Sequence, residues 1–322
     1  MKHTPFQKAL SLAAVLAMLF ILTAGTARAA DKFEEKFEKT VPLPKDGKVD
    51  ISNISGQIVV TSWSQGDVKI EAVKYSDASS EAKARENAAK VTIEVATEGN
   101  VVRIETKYPR SGGVFGGESV NVSVEYKLTI PQEAGLKAKN ISGEIVAERI
   151  GGHADLEAVS GDVALRSAAK GAECSSVSGD VEVTGVTGDV FVKSVSGDVR
   201  ARQIKGSIEA ESVSGELELT EVSEASAVRA KALSGGVVYR GSINKAGTYT
   251  LKSHSGEVEM FLPAASAFDF EASTFSGDID SDFEISTEDV RASAKELRGV
   301  VNGGGAAVKL SSFSGDIRLK KG

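Results

Sequence analysis

Residues 193–219 read KSVSGDVRARQIKGSIEAESVSGELEL and say nearly the same thing three times. Gly197, Gly206 and Gly215 stand nine residues apart. Each is followed by a polar residue and then an aliphatic one: Val199, Ile208 and Leu217. Outward from this stretch the motif recurs as ISGEI from 141, VSGDV from 159, 177 and 195, VTGDV from 186 and VSGEL from 213. Weaker copies, Ile150-Gly151-Gly152 and Ile204-Lys205-Gly206, fall halfway between strong copies spaced by 18 residues. Later copies are LSGGV from 233, HSGEV from 254 and FSGDI from 275 and 313, at spacings of 20, 21, 21 and 38 residues.

A fixed internal period of this length marks a repeat architecture. Within each unit the apolar residues alternate, as in Val181/Val183, Val190/Val192 and Leu217/Leu219, which is the period of two of a strand. Nine residues make one short strand and one turn, and eighteen make a coil with two faces. Stacked coils place equivalent residues about 4.8 Å apart. The expectation is an all-β chain: a parallel β-solenoid (β-helix) with ~18–21-residue coils and one short helix in an N-terminal elaboration. Roughly nine coils over 131–320 give a stack of about 45 Å. Val177, Val181, Val195, Val199, Val213 and Leu217 are expected to point inward, and Glu182, Arg200 and Glu218 outward. Gly supplies a positive φ where the chain changes direction, and Ser and Asp oxygens satisfy turn amides.

The first thirty residues are a separate object. Lys2 and Lys8 precede an apolar run from Leu12 to Leu22, followed by Ala27-Arg28-Ala29. This tripartite pattern reads as a secretory signal peptide over 1–29 with cleavage after Ala29, and so as a periplasmic or secreted protein. Loss of Lys2, Lys8 and Arg28, with no acid in that segment, moves the formal net charge from −7 to −10. Such a balance disfavours nucleic acid as a partner. No second hydrophobic segment follows, so no transmembrane segment is expected after cleavage. Domain boundaries read as 1–29 signal peptide, 30–47 lead-in, 48–130 a β-rich elaboration with one helix, and 131–322 the repeat region. Ser79–Lys90, Ala-rich and led by serine, is the helix candidate. Ser111–Gly117 (SGGVFGG) lacks the Lys-Ser/Thr of a phosphate loop and reads as a loop. Ser286–Gly299 fits either a short helix or an extra strand pair.

The segments YKLTIPQEAGLKAKNISGEIVAERIGGHADLEAVSGDV (126–163) and FLPAASAFDFEASTFSGDI (261–279) resemble the DUF4097 family, an adhesin-like family without an assigned activity. The ending GGGAAVKLSSFSGDIRL (303–319) is similar to that family's ending, and the resemblance covers roughly 45–320. It implies a β-solenoid and an envelope or extracellular location. It brings no catalytic residues to carry over.

Three functions compete on the residues themselves. A catalytic role needs a constellation, and no G-x-S-x-G, H-E-x-x-H or cysteine–histidine pattern appears. Past residue 29 the histidines are His153 and His254, and Cys174, the only cysteine, reads as a core residue. Paired carboxylates suit a β-helical carbohydrate enzyme, but acids repeated in every coil single out no pair. A calcium-binding β-roll is the second alternative, because stacking lines up Glu144, Asp162, Asp180, Asp198 and Glu216. Of these, Asp162, Asp180, Asp198 and Glu216 are the metal candidates. The β-roll pattern G-G-x-G-x-D needs more Gly and another Gly-to-Asp offset than S-G-D supplies. The third reading is preferred: an exported, non-catalytic solenoid with no cofactor. Its expected partner is an envelope or cell-surface protein or polysaccharide.

Overall fold

The computed structural model describes residues 31–109, 120–286 and 295–322. The signal-peptide reading of 1–29 and the loop reading of 111–117 lie outside these residues, as does most of 286–299. Ten two-strand coils make up the body. They are Lys48–Ser55 with Ile58–Trp63, Gly135–Ser142 with Ile145–Ile150, Ala154–Ser160 with Val163–Ala168, Ala172–Ser178 with Val181–Val186, and Val190–Ser196 with Val199–Arg202. They continue as Ile208–Ser214 with Leu217–Val222, Ala227–Ser234 with Val237–Gly241, Thr248–Ser255 with Val258–Leu262, Phe268–Ser276 with Ile279–Ser281, and Ala306–Ser314 with Ile317–Lys321. The first strands of all coils form one 13-stranded sheet, here the entry sheet, and the second strands form another, the exit sheet. The fold is thus the parallel solenoid that the eighteen-residue period predicts.

Register follows the repeat, with one shift between Thr220 and Val222 where Leu217–Val222 meets Val237–Gly241. On the exit sheet Val163, Val181, Val199 and Leu217 are successive partners, and all four are buried. Burying each such side chain contributes about 1.5–3 kcal/mol relative to exposure. On the entry sheet Leu156, Cys174, Val192 and Ala210 form the facing ladder. Glu182, Arg200 and Glu218 face outward, as their place between buried neighbours requires.

The valines that precede each Ser-Gly do not follow the expectation. Val177 and Val213 are exposed and Val195 is half-exposed, whereas Val181, Val199 and Leu217 are buried. The alternation explains the correction. In Val190–Ser196 the inward positions are Val190, Val192 and Ser194, so Val195 points out. The buried polar place is filled by Ser176, Ser194, Ser212, Ser253 and Ser312 in their respective coils.

The Gly of each corner is required twice over. Gly179 has φ +157°, and a Cβ there would lie 2.2 Å from the Gly161 carbonyl oxygen of the preceding coil. Gly197 repeats this, at φ +152° and 2.3 Å from the Gly179 oxygen. Close stacking at the corner therefore excludes any side chain.

Both ends of the stack are covered, as a solenoid requires. At the N-terminal end Asp31–Pro42 runs antiparallel to Asp67–Ala78, which runs antiparallel to Val122–Pro131. The hairpin Thr92–Glu98/Val101–Lys107 extends the entry sheet. The helix Glu81–Lys90 is capped by Ser80, whose side chain accepts the Lys83 N–H at 3.3 Å, and it buries Ala84 and Ala88. At the other end the coils leave chain order. The C-terminal coil, Ala306–Ser314 with Ile317–Lys321, inserts between the coil of Thr248–Ser255 and that of Phe268–Ser276. Glu296–Val301 adds an antiparallel edge strand to Phe268–Ser276, so this part of the ambiguous segment is strand.

Candidate functional site

One row of side chains stands out on the entry sheet beside the Ser-Gly corner. In spatial order it runs Ile54, Ile141, Val159, Val177, Val195, Val213, Leu233, His254, Phe313 and Phe275. The flanking positions are held in register, for example Ser142–Ser160–Ser178–Ser196. Ile141 and Leu233 are each 50% exposed, Phe313 49% and Phe275 72%. The last three rungs are rings stacked face to face: His254 on Phe313 at 4.9 Å and 12°, and Phe313 on Phe275 at 4.8 Å and 1°. This stack exists because the C-terminal coil is intercalated, which places Phe313 between residues 254 and 275.

Two charged rows flank the apolar one. Four positions before the corner glycines stand Lys139, Glu157, Lys193, Glu211, Lys231 and Lys252 in six coils, and Ser52, Ser175, Ser273 and Ser311 in the other four. Lys139 pairs with Glu157, Lys193 with Glu211 (3.2 Å), and Lys231 with Glu209 and Glu211 (3.5 Å each). Lys252 makes no ion pair among the described residues. Between these lysines and Val213, Leu233 and His254 lies a shallow hollow of about 390 Å³. The hydrogen bond from Lys193 and the charge of Lys231 hold the Glu211 carboxyl below its ordinary range, outweighing partial desolvation.

On the far side of the corner the acids form their own ladder. Asp162 Oδ1 accepts the Asp180 N–H, Asp180 Oδ1 the Asp198 N–H, and Asp198 Oδ1 the Glu216 N–H, each at 2.9 Å. Asp316 does the same for Asp278 at 3.0 Å. The acid of one coil thus caps an amide of the next coil, not of its own turn. Arg200 reaches Asp198 at 2.6 Å and Asp180 at 3.3 Å, which offsets the repulsion between stacked carboxylates. Glu144, one methylene longer, instead accepts from Gln57 Nε2 at 2.7 Å. The metal candidates Asp162, Asp180, Asp198 and Glu216 are therefore brought into one column, with the near oxygens of the three aspartates engaged by backbone. Among the described residues no group of three or more His, Cys, Asp or Glu side chains is arranged to hold a metal ion.

The remaining reactive residue types are dispersed. Cys174 is fully buried, and burial pushes its thiol up. His153 Nδ1 lies 3.2 Å from the Lys170 carbonyl, far along the stack from His254. A second concavity of about 540 Å³ opens on the exit sheet, with Arg202 and Arg240 beside Phe261 and Leu262. There the Arg240 guanidinium stacks 4.2 Å from the Phe261 ring centre, so the ring face is already covered. No helix among the described residues is long and apolar enough to cross a membrane.

Sequence reasoning placed three rungs of the row, Val177, Val195 and Val213, in the core. Counting by twos from Val192 would have set Val195 outside, and the same count finds every rung.

The family model described as Toastrack DUF4097 matches residues 48–320. No curated protein matches the chain. Among solved structures it is similar to one named a "putative adhesin" from Bacteroides fragilis NCTC 9343, at 13% identity and TM-score 0.41, covering 88% of this chain and 97% of that one. Another "putative adhesin", from Parabacteroides distasonis ATCC 8503, gives 10% identity, TM-score 0.46 and the same coverages. A "putative lipid binding protein" from the same organism gives 10%, 0.41, 89% and 97%.

Proposed function

The chain belongs to the Toastrack DUF4097 family, and on that premise we propose that it is an exported, non-catalytic module for macromolecular contact. The observation that carries this reading is the row of ten rungs, nine of them apolar beside His254, exposed at every level but the half-exposed Val195. A contiguous exposed apolar patch of this length marks an interaction surface, and a solenoid holds it rigid, so binding loses little conformational freedom. In the stack of His254, Phe313 and Phe275 both faces of the Phe313 ring are covered by its neighbours, which favours a protein partner over a polysaccharide lying on ring faces. In this reading residues 131–322 supply nine of the ten rungs, the coil of Lys48–Ser55 and Ile58–Trp63 supplies the tenth, and the rest of 48–130 closes the N-terminal end.

The non-catalytic assignment is supported by repetition. Corner acids recur in most coils, and the near oxygens of Asp162, Asp180, Asp198 and Asp316 are committed to a neighbouring coil's amide. The exported assignment, with cleavage after Ala29 and a periplasmic or secreted product, is supported by the tripartite sequence of residues 1–29.

The test is cosedimentation of the purified chain with cell-envelope preparations, beside the variant Leu233→Asp/Phe313→Asp. The expected result is binding by the parent chain and loss in the variant at unchanged melting temperature. Equal sedimentation of both, or none by either, would overturn the reading. N-terminal sequencing of the exported product checks cleavage, and a product retaining Met1 would refute it.

A further inference from the structure

We propose that two copies of this chain join end to end, by antiparallel pairing of the outer edge of Asp31–Pro42 with the same edge of the second copy. Among the described residues no strand pairs with that edge. Three strands lie beyond the first coil on the exit sheet and two on the entry sheet, so it stands farthest out at this end of the stack. It also lacks the usual protections of a sheet edge. All twelve of its residues pair with Asp67–Ala78 without a bulge, and its only proline, Pro42, comes last. The far end of the stack is guarded. Ile279–Ser281 is three residues long, and Val300 of Glu296–Val301 exchanges two hydrogen bonds with Ser286 at 2.9 Å.

The sequence of the edge selects the occupant. Lys32, Glu34, Lys36 and Glu38 are exposed on the outer face, whereas Phe33, Glu35 and Phe37 are half-buried on the inner one. A closed pair of identical edges needs a twofold axis. With both inner faces on one side, the axis passes through the sheet, and one residue of each strand meets its own copy. Centred on Glu34, Glu35, Lys36 or Glu38, the pairing sets that charge against itself. Phe37, at mid-strand, is the exception. About it Lys36 faces the second copy's Glu38, Glu35 its Lys39, Glu34 its Thr40 and Phe33 its Val41, each pair occurring twice. No like charges are opposed, and Phe37 meets Phe37. Glu35, which already holds Lys74 at 2.9 Å, gains a second cation.

Residues 33–41 then form about 30 Å of ladder, and Pro42, which has no N–H, falls just outside it. Main-chain hydrogen bonds supply the affinity, as in other strand additions. The charges set register and partner, since like charges directly opposite destabilise a strand pair. The axis reverses strand direction, so the apolar rows of the two copies lie on opposite flanks of a doubled stack and both stay open. The inference therefore stands apart from the interaction reading.

Sedimentation equilibrium of the purified chain is the test, with circular dichroism to show that each variant folds like the parent. At ~50 µM the expected mass is twice that of the chain, and Lys36→Glu weakens association at least about tenfold. Lys36→Glu/Glu38→Lys, which exchanges the two charges, should restore the dimer. A monomer at that concentration, a dimer indifferent to Lys36→Glu, or no rescue by the exchange would overturn the inference. Rescue by Lys36→Glu/Glu34→Lys instead would move the axis to Glu35 and overturn the register. A dimer lost only in Leu233→Asp/Phe313→Asp would put the contact on the apolar row and refute edge pairing.

Discussion

The Oγ of Ser194 donates to the carbonyl oxygen of Gly179, 2.9 Å away and one coil earlier in the stack. Ser176 does this for Gly161, Ser253 for Gly235 and Ser312 for Gly256, each at 2.9 Å, and Thr274 for Gly315 at 3.0 Å. The corner carbonyls turn into the coil, where unpaired oxygens carry a desolvation cost. A short hydroxyl at the edge of the core answers that need.

Ser194→Ala is expected to destabilise by about 1 kcal/mol, the worth of one such bond. Ser212 sits at the equivalent place with its Oγ buried and unpaired, so Ser212→Ala should cost markedly less. Paired urea titrations of the two variants check this; equal losses would show that the serines matter by size alone.

Removing the acid of one corner tests what the acidic column does. Asp180→Ala forfeits the bond to the Asp198 amide and the contact with Arg200, for about 1–1.5 kcal/mol. Asp180→Asn keeps an acceptor oxygen and should cost less than half as much. Millimolar calcium is expected to move the melting midpoint of the parent chain by no more than a few degrees. A rise above ~10 °C, well beyond the shift that ~1 kcal/mol gives in a chain of this length, would promote the β-roll alternative.

At the corner opposite the glycines, left-handed backbone recurs at Arg149, Ser167, Gln203 and Glu221, with φ between 54° and 70°. Only at Gly185, φ 72°, does this register use glycine. Gln203→Gly and Glu221→Gly should each raise stability by about 0.5–1 kcal/mol, because relief of the left-handed penalty outweighs the added freedom of the unfolded chain. Differential scanning calorimetry reads this as a rise of about 2 °C; a fall at both sites would show that these side chains hold the corner.

Acid should weaken the fold partly through Glu211. Its carboxyl is held below the ordinary value of 4.5, first by the hydrogen bond from Lys193. A depressed folded-state value contributes stability that is present above the unfolded value and lost as pH falls through the folded one. The decline should therefore begin near pH 4.5 and continue below it. Because the side chain is 29% exposed, the contribution is below ~1 kcal/mol. Denaturation midpoints between pH 3 and 6 should flatten in Glu211→Gln; an unchanged profile would remove Glu211 as a contributor.

Period, coil length and the inward ladder of Val181, Val199 and Leu217 were legible in the chain because each position recurs every eighteen residues. The helix was legible too: it begins at Glu81 behind Ser80, inside the stretch that composition marks. Two features were not. The outward turn of Val177 and Val213 hides because valine beside a turn reads as core, while the buried place goes to serine. The left-handed corner hides because Arg149, Gln203 and Glu221 carry no conformational signature of their own. The 38-residue gap between the FSGDI copies was visible, but spacing along a chain does not tell where a coil lands in space.

That landing place has a consequence for how this protein can change in length. Ordinary ladders of repeats gain or lose units at an open end. Here the coil of Ala306–Ser314 and Ile317–Lys321 is wedged between two coils synthesised before it, so neither of its strands keeps an open edge. A duplicated unit appended after Lys321 could not stack on the coil it follows, because both edges of Ala306–Ser314 and of Ile317–Lys321 are already paired. Duplication inside Gly135–Leu262 would simply lengthen the column and extend the apolar row by one rung. Growth of the molecule, and of the surface it offers, is thus most direct in its middle.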